Sequence, residues 1–134
     1  EYNVRFGDPE TQVVLPLLTG SWRENLLAVA RADRPWPTWS WHPQRAVACV
    51  VLAAEGYPEA PKKGVRIDGP ALYSSEKGYL LHAGTRRSQD IANKGSTQIG
   101  LEGILLPPVF ETNGGRVLNA IGLGENLFEA LRNA

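Results

Sequence analysis

Short apolar runs separated by glycine- and proline-containing turns fill the last two thirds of the chain. The runs occur in AVACVVLAA (46–54), VRIDG (65–69), KGYLLHAGT (77–85) and RVLNAIGLG (116–124). Runs of this length predict β-strands, and their order favours a small antiparallel barrel or sandwich over βαβ units. A closing helix is expected from Glu125, in ENLFEALRNA. The expected core residues are Val47, Val50, Val51, Leu52, Leu81, Val117 and Leu118.

The preceding segment has the pattern of two helices. Asp8 is suited to be the N-cap of a helix whose first residue is Pro9, and Pro16 should end or kink that helix. Ser21 and Glu24 form a capping box for a second helix that extends to about Ala32. The residues expected in its buried stripe are Leu26, Leu27, Val29 and Ala30.

The proline-rich stretch RPWPTWSWHPQ (34–44) separates the helical segment from the strands. We therefore predict a boundary between residues 1–43 and 44–134, and an α+β fold overall. The three tryptophans of this stretch could form a sugar- or peptide-binding platform, or could hold it against a neighbouring domain, which is the commoner role of bulky aromatics beside prolines.

Composition excludes several classes of protein. Fourteen basic and fourteen acidic residues give no net charge, so neither a nucleic-acid nor an anionic-membrane partner is expected. The chain has no apolar run near the ~20 residues of a membrane span and no signal-peptide pattern. Cys49 lies in an apolar run and is interpreted as a buried thiol of a reducing, cytoplasmic compartment. A zinc site is not expected, because His42, His82 and Cys49 are far apart in sequence. With no methionine, the chain is expected to be a piece of a longer protein.

The opening segment EYNVRFGDPETQ alternates polar and apolar residues before a Gly-Asp-Pro turn. On a strand, Glu1, Asn3 and Arg5 would share one face. This spacing alone leaves two interpretations open, a ligand surface and a solvated edge.

Two later segments carry basic groups. Lys62, Lys63 and Arg66 could meet a phosphate, or could be an ordinary solvated loop. Gly114, Gly115 and Arg116 could approach a phosphate through backbone amides and a guanidinium, or could form only a turn.

The segment EYNVRFGDPETQ closely resembles the signature of the phosphoribosylamine–glycine ligase family of purine biosynthesis, also called glycinamide ribonucleotide synthetase. The resemblance continues, in the family's order, through AVACVVLAAEGYP, KKGVRIDG, LLHAGT and TNGGRVL. It implies that residues 1–43 are the end of an ATP-grasp domain, a strand plus two helices. Residues 44–134 would then be the family's C-terminal barrel-like domain.

The resemblance also implies a chemistry, in which ATP phosphorylates glycine and 5-phosphoribosylamine displaces the phosphate. The resemblance implies that Glu1 and Asn3 are ligands of Mg²⁺ or Mn²⁺, that Arg5 binds glycine's carboxylate, and that Gly7, Asp8 and Pro9 border the substrate site. The candidates for the ribose phosphate are Lys63 and Arg116, from the two basic segments described above. Asp8 has the helix-cap role as an equal alternative, and Glu10 is ambiguous in the same way.

Three departures from the family pattern occur, at GYPEAPKKG, in the long stretch 86–111 and at the early end at Ala134. The family's nucleotide-binding lysines, phosphate loop and upstream acidic metal ligand are absent from these residues. The fragment is therefore expected to be inactive without the remainder of the ligase chain. Two other classes stay open, a non-catalytic assembly module and a different ATP-grasp enzyme of purine metabolism.

Overall fold

A computed structural model of the chain describes residues 4–68, 74–88 and 108–134. The helices in these ranges are α1 (Glu10–Val14), α2 (Trp22–Arg31) and α3 (Leu127–Asn133), with a 3-10 helix at Leu15–Leu17. The strands are β1 (Leu18–Thr19), β2 (Ser40–Trp41), β3 (Ala46–Ala53), β4 (Arg66–Ile67), β5 (Gly78–His82), β6 (Thr85–Arg87), β7 (Phe110–Thr112) and β8 (Arg116–Gly124). No helix in the described ranges is long and apolar enough to cross a membrane. Most of the unusual stretch 86–111 lies outside the described residues.

The described strands form three sheets. Their orders are β1-β2, β3-β8-β5 and β4-β7-β6. The pairs β4–β7 and β6–β7 are antiparallel, which agrees with the prediction for residues 44–134. The pair β1–β2 is also antiparallel and was not predicted. The predicted closed barrel is not observed among the described strands, because β4, β6 and β7 are only two or three residues long and their ladder does not continue into the next sheet.

The chain divides into two compact units. The first comprises Glu1–Cys49 and Ile121–Ala134, and the second comprises Val50–Ala120.

The helix α1 starts one residue later than predicted. Pro9 is its N-cap residue rather than its first helical residue, and no side chain caps the helix. The predicted N-cap Asp8 instead accepts a hydrogen bond from the side chain of Gln12, one turn further on. The helix ends at Val14, before Pro16, as predicted, because proline lacks the N–H that would continue the helix.

Local signals define α2 correctly. The hydroxyl of Ser21 accepts the N–H of Glu24 at 3.3 Å, and Ala32 ends the helix in the left-handed conformation with φ of 57°. The predicted buried stripe is wrong, because α2 has no buried residue and Leu26, Leu27 and Val29 are exposed. Ala30, the fourth residue of the predicted stripe, is exposed as well.

The core follows the central strand β8. Val117 and Leu118 are buried as predicted, together with Asn119, Ala120 and Ile121. The predicted core residues of the edge strands behave differently. Val47 and Val51 are half-buried, whereas Val50, Leu52 and Leu81 are 44%, 45% and 37% exposed. The prediction was wrong for these three, which lie in β3 and β5 on either side of the central strand β8.

The helix α3 begins two residues later than predicted, at Leu127 instead of Glu125. Asn126 is the N-cap, and its side chain accepts the N–H of Glu129 at 2.9 Å. The Glu129 carboxylate in turn accepts the N–H of Glu125 at 3.0 Å, which keeps Glu125 outside the helix. A side chain at Gly122 would collide with the backbone of Ala130, so glycine allows α3 to lie directly on β8.

Candidate functional site

The predicted metal ligands Glu1 and Asn3 lie outside the described residues. The residues that follow them are described, and Val4–Phe6 do not form the predicted strand. Val4 is 95% exposed. A strand needs a neighbour to receive its backbone hydrogen bonds, and no described residue pairs with this segment.

The turn at residues 7–9 is held by the first turn of α1. The carbonyl of Gly7 accepts the N–H of Thr11 at 3.0 Å and also the Thr11 hydroxyl. The carboxylate of Glu10 occupies the space that a side chain at residue 7 would need. The turn at Gly7, Asp8 and Pro9, which is predicted to border the substrate, is therefore held by contacts within this segment.

Arg5 lies next to this turn and is exposed. It makes no hydrogen bond or ion pair with a residue in the described ranges.

The thiol of Cys49, in β3, is half-buried. Burial raises its pKa, and the negative charge of Asp8 raises it further. The thiol therefore stays protonated at neutral pH and is unsuited to act as a nucleophile.

The second unit contains the basic loop. Lys62 pairs with Glu55 at 2.6 Å, and Arg66 pairs with Asp68 at 2.7 Å. Lys63 is exposed and has no acidic partner among the described residues.

Thr112 connects this loop to the NGGR segment. Its hydroxyl donates to the carbonyl of Lys62 at 2.9 Å and accepts the N–H of Val65 at 3.1 Å. Its backbone N–H donates to the carbonyl of Val65 at 2.9 Å, and its carbonyl accepts the N–H of Gly64 at 2.7 Å. Four hydrogen bonds from one buried threonine therefore fix the backbone on either side of Lys63.

The glycines of the NGGR segment are explained by close packing. A side chain at Gly115 would collide with the ring of Tyr57. A side chain at Gly84 would lie 2.7 Å from Cα of Gly114 and 2.6 Å from the carbonyl oxygen of Arg116. Within the second unit, the structure thus brings together the segments EGYP, KKG, HAGT and NGGR. The half-buried Arg116 lies in this junction, and its carbonyl accepts the N–H of Gly84 at 2.8 Å.

A charged cluster around Glu111 was not found by sequence reasoning. Glu111 is directly opposite Arg66 on β4 and Arg86 on β6. Its carboxylate accepts a hydrogen bond from Arg86 Nε–H, with an N···O distance of 3.3 Å, and another from the hydroxyl of Ser88. Arg86 and Glu111 are 25 residues apart in the sequence, so only the strand register reveals the cluster.

The histidine His82 has a structural environment. Its Nδ1 is 2.8 Å from the hydroxyl of Thr85, and its ring centroid is 4.4 Å from that of Phe110. His82 is the last residue of β5. Within residues 4–68, 74–88 and 108–134, no group of three or more His, Cys, Asp or Glu residues is placed to hold a metal ion.

Comparison with known proteins identifies the family. Residues 47–134 match the family model described as phosphoribosylglycinamide synthetase, C domain. The chain is 44% identical over 131 residues to a phosphoribosylamine–glycine ligase of Corynebacterium ammoniagenes, covering 97% of this chain and 26% of that protein. It is 41% identical over 133 residues to the enzyme of the same name from Caulobacter vibrioides, with the same coverage of 97% and 26%.

A solved structure agrees. The crystal structure of phosphoribosylamine–glycine ligase from Thermotoga maritima has a TM-score of 0.62 and 34% identity, covering 99% of this chain and 27% of that chain. The chain therefore spans about a quarter of the length of the relatives it matches and corresponds to their C-terminal portion. It belongs to the phosphoribosylglycinamide synthetase family and contains that family's C domain.

Proposed function

We propose that this chain is the C-terminal portion of an ATP-dependent ligase that joins glycine to 5-phosphoribosylamine in cytoplasmic purine biosynthesis. The observation that carries the proposal is the match of residues 47–134 to the phosphoribosylglycinamide synthetase C domain. In this proposal, residues 1–43 complete an ATP-grasp domain and residues 44–134 form the C-terminal domain. Glycine, 5-phosphoribosylamine and ATP are the small-molecule partners, and the remainder of the ligase chain is the protein partner.

The reaction has two steps. An oxygen of the glycine carboxylate attacks the γ-phosphorus of ATP, which forms glycyl phosphate and releases ADP. The amino group of 5-phosphoribosylamine then attacks the glycyl carbonyl carbon, and phosphate leaves as the amide bond forms. Negative charge on the transferring phosphoryl group must be neutralised throughout the first step.

The proposed cation ligands are Glu1 and Asn3. Their carboxylate and amide oxygens are the donor types that Mg²⁺ prefers, and Mn²⁺ accepts the same set. When bound, the ion supplies positive charge beside the phosphates of ATP. Two protein ligands do not complete an octahedral shell, so the chain without the remainder of the ligase should bind magnesium weakly and turn over no ATP.

Arg5 is proposed to hold the carboxylate of glycine. The availability of its exposed side chain supports this role, as does its place two residues before the turn at Gly7. A guanidinium can donate two parallel hydrogen bonds to a carboxylate, which orients the attacking oxygen. Gly7, Asp8 and Pro9 would form the border of the glycine site.

The ribose phosphate of 5-phosphoribosylamine is proposed to bind near Lys63 and Arg116. Two observations support this proposal. Lys63 has no acidic partner among the described residues, and the four hydrogen bonds of Thr112 fix the loop that contains Lys63. Arg116 follows the two glycines of a segment that is hydrogen-bonded to the same region.

The test is steady-state kinetics of the complete protein with glycine, ATP and magnesium varied separately. Arg5→Lys should raise the glycine requirement about ten- to a hundredfold, because a charge-assisted hydrogen bond contributes about 1.5–3 kcal/mol, and should leave the ATP requirement nearly unchanged. Glu1→Gln should instead raise the magnesium requirement and lower turnover.

Two outcomes would contradict the proposal. If ATP turnover does not depend on glycine, the protein is a different ATP-grasp enzyme or a non-catalytic module. If Arg5→Lys changes only the ATP or magnesium requirement, Arg5 acts on the phosphates and the glycine site lies elsewhere.

A further inference from the structure

The sheet β4-β7-β6 places two arginines on either side of one glutamate. Arg66, Glu111 and Arg86 are directly opposite one another in the register. Directly opposed residues point to the same face of a sheet. The adjacent row contains Ile67 and Phe110, and Ile67 packs against the core of Ala54, Val117 and Leu118. The charged row therefore faces away from the core.

Glu111 orients Arg86 without using all of its hydrogen-bonding groups. The carboxylate is only 14% exposed and also accepts the hydroxyl of Ser88, so its position is fixed. Both Nε and Nη2 of Arg86 lie 3.3 Å from the same oxygen, Oε2. That distance is longer than the 2.7–2.9 Å typical of charge-assisted hydrogen bonds. Glu111 does not engage Nη1, and the arginine side chain is 42% exposed.

The guanidinium of Arg86 lies against the loop that carries Lys63. A β-carbon at Gly64 would be 3.7 Å from Arg86 Nη2. Gly64 has φ of +75°, a conformation that favours glycine, and its N–H is bonded to the carbonyl of Thr112 at 2.7 Å. A fixed backbone therefore holds Gly64, the residue that follows Lys63, against an oriented arginine, and Lys63 itself is exposed.

From this juxtaposition we propose that Arg86 and Lys63 together bind a phosphate monoester on the outer face of this sheet. The arginine would supply a planar pair of N–H donors, and the lysine a mobile point charge. The other two cations of this segment, Lys62 and Arg66, form ion pairs with Glu55 and Asp68 and would contribute less to phosphate binding. The inference rests on the proposed function and refines it, because the ligand is again the ribose phosphate of the amine substrate, with Arg86 in place of Arg116 as the arginine that acts with Lys63.

The experiment measures binding of ribose 5-phosphate to the complete protein by calorimetry, with ATP and glycine absent. Unphosphorylated ribose and inorganic phosphate are titrated in parallel. Hydrogen exchange of segments 61–66 and 85–88 locates the contact. We expect ribose 5-phosphate and phosphate to protect both segments, and ribose to protect neither.

The substitution Arg86→Gln should weaken ribose 5-phosphate binding about ten- to a hundredfold, the range for a charge-assisted hydrogen bond. Arg87→Gln is the matched control, because this substitution removes the same charge from the next residue of β6. Arg87 is opposite Phe110 rather than Glu111. This control should change binding less than twofold. Because Arg86→Gln could disturb the sheet, Arg86→Lys is measured as well, and it should weaken binding while exchange at Gly64 stays slow.

The proposal is overturned if Arg86→Gln and Arg87→Gln weaken binding equally, which would show a general charge effect. It is also overturned if ribose binds as tightly as ribose 5-phosphate. These results are independent of ligase turnover. If the protein is an active ligase and Arg86→Gln leaves its phosphate binding unchanged, this inference alone is contradicted. If phosphate binding depends on Arg86 but the protein has no glycine-dependent turnover, the proposed function alone is contradicted.

Discussion

Replacing Thr112 with valine tests whether the loop around Lys63 is held by the threonine hydroxyl. Valine has nearly the same shape, so the packing is kept and the hydroxyl bonds to Lys62 and Val65, of 2.9 and 3.1 Å, are lost. A neutral hydrogen bond contributes about 0.5–1.5 kcal/mol net, so the loss of two should lower the free energy of unfolding by about 1–3 kcal/mol. The two backbone bonds of Thr112 remain, so the loop should loosen rather than detach.

Urea unfolding gives the total cost, and amide exchange locates it. In Thr112→Val, the Val65 amide should exchange about tenfold faster or more, since 1.4 kcal/mol corresponds to a factor of ten. Thr112→Ser is the control, because it keeps the hydroxyl and loses one methyl group, at a cost of about 0.8 kcal/mol. Its Val65 amide should exchange at the original rate. If serine costs more than valine, packing and not hydrogen bonding holds the loop, and the reasoning fails.

Two further predictions follow from local geometry. Gly84→Ala should destabilise the second unit more than Gly115→Ala. The methyl group added at Gly84 would meet backbone atoms at 2.6–2.9 Å, whereas the one added at Gly115 would meet the movable ring of Tyr57. Thermal unfolding of both variants should give this order, and the reverse order would show that the backbone near Gly84 shifts easily. Alkylation of Cys49 by iodoacetamide should require a higher pH in the folded chain than in the unfolded chain, because burial and Asp8 raise the pKa of the thiol. Asp8→Asn should move the rate profile part of the way back, and an unchanged profile would show that Asp8 has no effect on Cys49.

The sequence predicted the elements that are defined by local signals. The strand β8 was placed at its observed bounds, because its apolar run begins after two glycines. The cap of α2 was also correct, since Ser21 and Glu24 are three residues apart and interact within one turn. The predicted start of α3 at Glu125 is two residues too early, because Asn126 is the N-cap and the helix therefore begins at Leu127.

Burial could not be predicted in the same way, because it depends on neighbours that are distant in sequence. The apolar residues of β3 and β8 look equally suited to a core. The order β3-β8-β5 puts β8 in the centre, so Val117 is buried and Val50 is not. The same limit applies to the charged row at Glu111, where the pairing of three strands brings together groups that show no pattern in the sequence.

The residues that carry the family resemblance divide into two groups with different expected behaviour. Gly84 and Thr112 contact the backbone of other motif segments, so their replacement should lower stability and disturb the loop near Lys63. Arg5 and Lys63 are exposed and have no ion-pair partner among the described residues, so their replacement should leave the free energy of unfolding nearly unchanged. If Arg5 and Lys63 serve ligands, their variants should lose affinity at full stability. A Lys63→Gln variant that unfolds at a lower urea concentration while binding ribose 5-phosphate normally would assign Lys63 to the fold instead.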